Sequence, residues 1–239
     1  SLAARPGRMY LIDHASGPMN ALAPSKVLQL GRAWLDRFLP PRTQGRVFLV
    51  GGAYKCLLHG RPPRDLDLFC ADAEFRHELL AALRSHGART LAENPPYQTI
   101  LSLEELTIEV AYDTTQATLE ARIESTDIAL SAIGCERGPD GDRALVHPLA
   151  HASATRREIL LLTPLVNWKY ALYTLERMHR YAQELDFVVP AEQEEYVWRL
   201  FLAQPAAERQ SMIRRYERVS AQGGLISARA MSLCTEVSA

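Results

Sequence analysis

Cysteine is scarce in this 239-residue chain, and the four present, Cys56, Cys70, Cys135 and Cys234, show no CxxC spacing. That leaves neither a zinc site nor a disulfide framework indicated, and the four read as reduced, mostly buried thiols. Also missing is any apolar run of membrane-spanning length, or the basic, apolar, small-residue order of a signal peptide at the N-terminus. The expectation is a cytoplasmic protein with no membrane partner. Neither sign of charge is in excess: the formal net charge of -1 exerts no global pull on nucleic acid or anionic lipid, so any nucleic-acid contact must come from a local patch. Internal repeats and low-complexity tracts are lacking as well. What remains, 47% hydrophobic and 23% charged residues, is enough for one large or two modest globular domains.

The pattern along the chain predicts an α+β half followed by an all-helical half. Residues 1–24, rich in Gly, Pro and Ala, read as a loosely ordered lead-in. Residues 25–154 read as an α+β head. Helical spacing over 25–39, with Ser25 as N-cap and Pro40-Pro41 as stop, leads into a buried strand at Val47 to Val50. A tight turn at Gly51-Gly52, a short helix closed by Gly60 and a second strand, DLDLFC, follow. A helix ending at Gly87 precedes two strands, YQTILSL and LTIEVAY, and TDIALSAIGCER reads as one more strand before an exposed turn. From about residue 155 the chain is periodic in apolar residues, with a break at Pro164, and residues 155–239 read as a helical neck and body.

The chemistry concentrates in VGGAYKCLLHGRPPRDLDLF, residues 50 to 69. Successive strand side chains point to opposite faces, so Asp65 and Asp67 project together while Leu66 and Leu68 enter the core. Two carboxylates about 7 Å apart at Cα, from a rise of about 3.3 Å per residue, repel each other unless a cation sits between them. Hard oxygen ligands suit Mg²⁺ or Mn²⁺, which bind one or two carboxylates together with water and substrate phosphate. In LTIEVAY, Glu109 stands on the face opposite Ile108 and Val110; if this strand lies beside DLDLFC, Glu109 completes a three-carboxylate set. Such a set can hold two metal ions about 3.5 to 4 Å apart for phosphoryl displacement. Gly51-Gly52 before a helix lets bare backbone N–H groups approach a triphosphate, and Lys55 and Arg64 could add positive charge.

This run resembles the head-domain signature of the tRNA nucleotidyltransferase and poly(A) polymerase family, within the DNA polymerase beta-like nucleotidyltransferases. The family pattern, roughly GG.VRD.LLG....D.D, is matched at Gly51, Gly52, Leu58, Gly60, Asp65 and Asp67. TDIALSAI is similar to the family's RDFTINAL segment, with Asp127 on its aspartate, and RMHRYAQELDF to the helix that ends its nucleotide-binding neck. The resemblance implies a nucleotidyltransferase head with a mostly antiparallel mixed sheet, metal-binding Asp65, Asp67 and Glu109, and nucleotide-binding Gly51, Gly52 and Asp127; Lys55 and Arg64 join the nucleotide-binding set by their charge. It further implies an NTP as substrate and an RNA 3′ end as acceptor; a small-molecule or protein hydroxyl is the alternative acceptor, and a catalytically inactive nucleotide-binding module the non-enzymatic one. The chain departs from the family at Tyr54-Lys55-Cys56, in place of VRD, and at Thr126, in place of an arginine; the base-selecting EDxxR motif has no clear counterpart.

Other features carry less. Among the seven histidines the closest pair, His147 and His151, has one-turn spacing, but Pro148 argues against a helix there, and only His59 stands near the glycine turn. Arg209, Arg214, Arg215 and Arg218 alternate with Glu208 and Glu217, the pattern of a solvated helix face. Trp168, Tyr170 and Tyr173 could stack a base, although helical spacing favours core packing; Lys169 and Arg177 are placed for nucleotide contacts if their helix is the neck.

Overall fold

A continuous apolar run makes β1 (Val47–Val50) and an alternating one β2 (Asp65–Cys70), the centre of a seven-stranded sheet in the computed structural model, which describes residues 21–70, 72–94, 97–112, 117–220 and 224–236. The lead-in before residue 21 lies outside the described residues. The other strands are β3 (Arg89–Asn94), β4 (Gln98–Leu103), β5 (Leu106–Ala111), β6 (Ile133–Gly138) and β7 (Gly141–Val146). Their spatial order is β3-β4-β5-β2-β1-β6-β7, and only the β2–β5 pairing is parallel. The fold is therefore α+β with a mostly antiparallel mixed sheet and a helical C-terminal region.

Register decides what the sheet presents. Asp67 lies opposite Val50 of β1 and Glu109 of β5, and Asp65 lies opposite Thr107. Opposite residues share a face. Leu66 and Leu68, on the other face, join Val47, Leu49, Ile108 and Val110 in a core covered by α1 (Pro24–Leu35) and α3 (Ala73–Ser85), the latter capped by Asp72 Oδ1 accepting from Phe75 N at 2.9 Å. Phe48 and Val50 pack in a second cluster with Leu119 and Ile123 of α4 (Leu119–Glu124) and with Leu160 and Leu162. This cluster covers only part of the second face, and the carboxylate end is left open.

Several expected elements are placed differently. The first helix begins at Pro24 with Ala23 as N-cap, not Ser25, and ends at Leu35; Phe38 and Leu39 are buried in the turns that follow. Only Ile133 onward of TDIALSAIGCER is a paired strand, since Ala129–Ser131 forms a 3-10 turn. Pro148 starts a helix rather than preventing one: α5 (Pro148–Arg156) carries it in the first turn, where no N–H is needed, and His147 Nδ1 caps the end by accepting from Leu149 N at 3.1 Å. The chain then runs back without α-helix, Leu162 N donating to Asp127 O at 2.8 Å, before a 3-10 turn (Trp168–Tyr170) and α6 (Ala171–Leu185), α7 (Ala191–Leu202), α8 (Ala206–Val219) and α9 (Gly224–Glu236). Arg209, expected on a solvated face, is buried and donates to the carbonyls of Leu202 and Gln204 at the end of α7. Cys56, Cys70 and Cys135 are buried and Cys234 partly so, and none of the four forms a disulfide. Among the described residues no helix is long and apolar enough to cross a membrane.

Candidate active site

The turn after β1 is made by two glycines for different reasons. Gly51 has φ 104°, a region that side chains avoid, and a Cβ there would stand 3.1 Å from Asp67 Oδ2. Gly52 has no such φ, but a Cβ on it would lie 2.9 Å from the Tyr181 hydroxyl. A 3-10 turn, Gly52–Lys55, continues into the short helix α2 (Cys56–His59), which Gly60 closes at φ 69°. In this segment Tyr54 and Cys56 turn into the core, Tyr54 donating to the Leu49 carbonyl at 3.1 Å, while Lys55 turns to the open side. Lys55, at the position of the family's arginine, thus lines the cleft, and Tyr54 and Cys56 beside it are core packing. His59 Nδ1 accepts from Arg61 N at 2.9 Å, and burial, with the charges of Lys55 and Arg61, lowers its pKa; it serves the turn.

A cleft of about 710 Å³ opens between this turn, the open face of β2 and β5, and α6. Gly51, Gly52, Lys55, Arg64, Asp65, Asp67, Glu109, Asp127 and Arg177 all line it. Lys169 does not: it sits exposed on a 3-10 turn with its ammonium 5.5 Å from the Trp168 ring centroid. Burial, then Asp65 and Glu109, push the Asp67 carboxyl up to about 7, tempered by Arg177 and Arg122; burial and Asp65 raise Glu109. The face is thus crowded with negative charge, the condition a cation relieves. Among the described residues no group of three or more His, Cys, Asp or Glu side chains stands ready to hold a metal ion. The fit is that of Mg²⁺ held by one or two carboxylates, with water and phosphate completing its shell.

Asp127 lines the cleft and is also bonded within the protein. Its carboxylate accepts from Thr174 Oγ1 at 2.6 Å and from Arg177 Nη1 at 2.8 and 3.0 Å, tying α6 to the segment just before β6. Arg177 also reaches the hydroxyls of Ser131 and Tyr181, both at 3.3 Å, and Tyr181 lies 3.0 Å from Ser131 Oγ. Lys55 and Arg64 are likewise paired, at 2.5 and 3.3 Å, with one residue the sequence reading missed, Glu184. A signal existed: Tyr173, Thr174, Arg177, Arg180, Tyr181 and Glu184 recur at three- and four-residue spacing, a polar stripe along one face of α6, and all six line the cleft. Of the expected stacking aromatics, Tyr170 and Tyr173 line the cleft and Trp168 does not; Tyr170 is 44% exposed, too open for core packing.

This geometry predicts that Gly52→Ala displaces the Tyr181 hydroxyl from its partners on Ser131 and Arg177. Since the ring is buried and cannot swing away, the variant is expected to lose about 1–3 kcal/mol of stability, checked by urea denaturation.

No protein-family model and no curated protein sequence matches the chain. Solved structures do. A tRNA nucleotidyltransferase complexed with a primer tRNA and an incoming ATP analog aligns with 88% of this chain and 60% of its own at TM-score 0.53 and 17% identity. The Thermotoga maritima CCA-adding enzyme, complexed with tRNA, aligns with 91% and 53% at TM-score 0.51 and 17% identity. A CCA-adding enzyme in an apo form aligns with 91% and 55% at TM-score 0.54, again at 17% identity. The chain spans little more than half the length of these structures, and at such identity the likeness is one of fold: that of the CCA-adding tRNA nucleotidyltransferases.

Proposed function

We propose that the chain is a metal-dependent, template-independent nucleotidyltransferase that moves NMP from an NTP to an RNA 3′ end and releases pyrophosphate. One observation carries the reading: β2 and β5 pair in parallel so that Asp67 and Glu109 stand side by side, beside a glycine turn bare enough to admit phosphate. One or two of the carboxylates of Asp65, Asp67 and Glu109 would hold each Mg²⁺ or Mn²⁺, water and phosphate completing its shell. When bound, such ions neutralise phosphate charge and lower the pKa of an attacking hydroxyl. The backbone at Gly51-Gly52 receives the phosphates, and Lys55 and Arg64 offset their charge. The acceptor hydroxyl attacks the α-phosphorus, the bond to the bridging β-phosphate oxygen breaks, and positioning supplies most of the rate gain. Tyr170 and Tyr173, with Arg180 beyond them, offer rings and a cation to a base. The solved neighbours, named for tRNA and ATP-analog complexes, support the choice of RNA and NTP.

The deciding experiment supplies each α-labelled NTP with Mg²⁺ or Mn²⁺ and a panel of 3′-trimmed tRNA, generic RNA, an aminoglycoside and a protein. Label at the RNA 3′ end is expected. Label on the aminoglycoside or the protein alone would replace the acceptor, and label on nothing would leave a nucleotide-binding module.

A further inference from the structure

Glu184 is the penultimate residue of α6, at the end where a helix carries partial negative charge and a carboxylate is unwelcome. Two cations compensate it. Lys55 Nζ meets Glu184 Oε2 at 2.5 Å, with the lysine side chain only 12% exposed and its ammonium 3.6 Å from the centroid of the Tyr181 ring. Arg64 Nη2 meets Glu184 Oε1 at 3.3 Å, but at 85% exposure it adds little. These are the two cations offered to the triphosphate in the reading above, and all three side chains line the same cleft as Gly51 and Gly52.

Resting on that reading, we infer that Glu184 is an anionic clasp on the phosphate subsite, occupying Lys55 and Arg64 until a triphosphate displaces it. A carboxylate within reach of Lys55 opposes any anion that approaches the same ammonium, and it does so more strongly in a half-buried cleft than in water. A single phosphate offers Lys55 little more than Glu184 already does, whereas a triphosphate brings several charges at once and can also reach the backbone at Gly52, Gly51 N being already bonded to Ile133 O at 3.1 Å. The clasp therefore sets a threshold on phosphate number. Because Glu184 lies on α6 and Lys55 on the head, nucleotide entry also exchanges a head–helix ion pair for a head–nucleotide one. Burial alone would raise the Glu184 carboxyl, yet the Lys55 bond and the charges of Lys55, Arg180 and Arg64 hold it below the ordinary glutamate value, in keeping with a carboxylate that stays charged in the clasp.

The test is calorimetric titration of Mg²⁺-tripolyphosphate and of Mg²⁺-ATP into the wild type, Glu184→Gln, Lys55→Met and the double variant at low salt. Glu184→Gln is expected to bind both probes about tenfold tighter, and the gain is expected to vanish when Lys55 is Met. Inorganic phosphate should gain proportionally more than tripolyphosphate, since it meets the threshold with fewer charges. If Glu184→Gln does not fold, Glu184→Ser serves the same comparison. Wild type that binds ATP with Glu184→Gln no tighter overturns the clasp and leaves the nucleotidyltransferase reading standing. Failure of every variant to bind either probe removes both.

Discussion

Asp67→Asn is expected to cut nucleotidyl transfer by at least about 10³-fold while leaving the protein folded and, in chelator, raising its melting temperature. Both effects have one cause. Asp67 sits in the central strand with its carboxyl on the open face, between Asp65 two residues before it and Glu109 across the parallel pairing. Burial first, and then the two neighbouring carboxylates, make its charge costly in the metal-free protein. Asparagine keeps the shape and removes the charge. The relief, discounted for the open cleft, is about 1 kcal/mol, or about 2–4 °C for a chain of this size. The same substitution removes the anionic oxygen that, in the proposed mechanism, gathers cations beside the phosphates, so transfer collapses. A stability gain with activity lost is the signature of a site that maintains strain for function. Single-turnover transfer and a thermal melt check the two halves. Transfer by Asp67→Asn within tenfold of wild type would remove the carboxylate assignment, and a lower melt in chelator would mean that the crowding has been misjudged.

Much of this arrangement was legible because it depends on short-range geometry. DLDLFC alternates, so its aspartates share a face whatever the rest of the chain does, and a glycine pair between a strand and a helix is a turn in most contexts. Glu109 was legible only conditionally: its strand had to lie beside β2, and that pairing runs through a parallel crossover that local pattern does not specify. β3 was missed because five of its six residues are exposed, so no apolar alternation marks it. α4 was missed although Thr118 caps it by accepting from Ala121 N at 3.2 Å, a signal that six residues of helix did not make conspicuous. The ion pairs were out of reach altogether. Asp127 read as a nucleotide contact from its motif and turned out to be bonded to Thr174 and Arg177, and Lys55 finds Glu184 across 129 residues of sequence. Charge partners that meet only through tertiary folding leave no local trace.

The same holds for the residue whose removal should cost the most stability. Arg137, on β6, is 1% exposed, and its guanidinium is surrounded: Nε donates to Asp142 Oδ1 at 2.8 Å and Nη2 to Asp142 Oδ2 at 2.9 Å, the two-pronged geometry that makes arginine–carboxylate pairs strong. Nη2 also meets Asp36 Oδ1 at 2.6 Å, and Nη1 donates to the carbonyls of Leu39 and Pro40 at 3.3 and 3.2 Å. One side chain thus ties the end of α1 and the turns after it to the β6–β7 edge of the sheet. Arg137→Ala is expected to lose about 3–5 kcal/mol, because it strands the Asp142 carboxylate, itself 5% exposed, along with two carbonyls. Arg32 Nε, 3.0 Å from Asp142 Oδ2, keeps that carboxylate partly compensated and places the loss toward the lower end. The melting temperature should fall by about 10 °C at 2–4 °C per kcal/mol. Replacing the pair together, as Arg137→Met with Asp142→Leu, should cost much less than Arg137→Ala alone, since no charge is then left buried without a partner. A loss below about 1 kcal/mol for Arg137→Ala would show that the network only decorates a fold held by its core. The site supplies the control. Arg137 does not line the cleft, so below its own melting range the variant should bind Mg²⁺-ATP as the wild type does, whereas Gly52→Ala, which moves the Tyr181 hydroxyl at the glycine turn, should not.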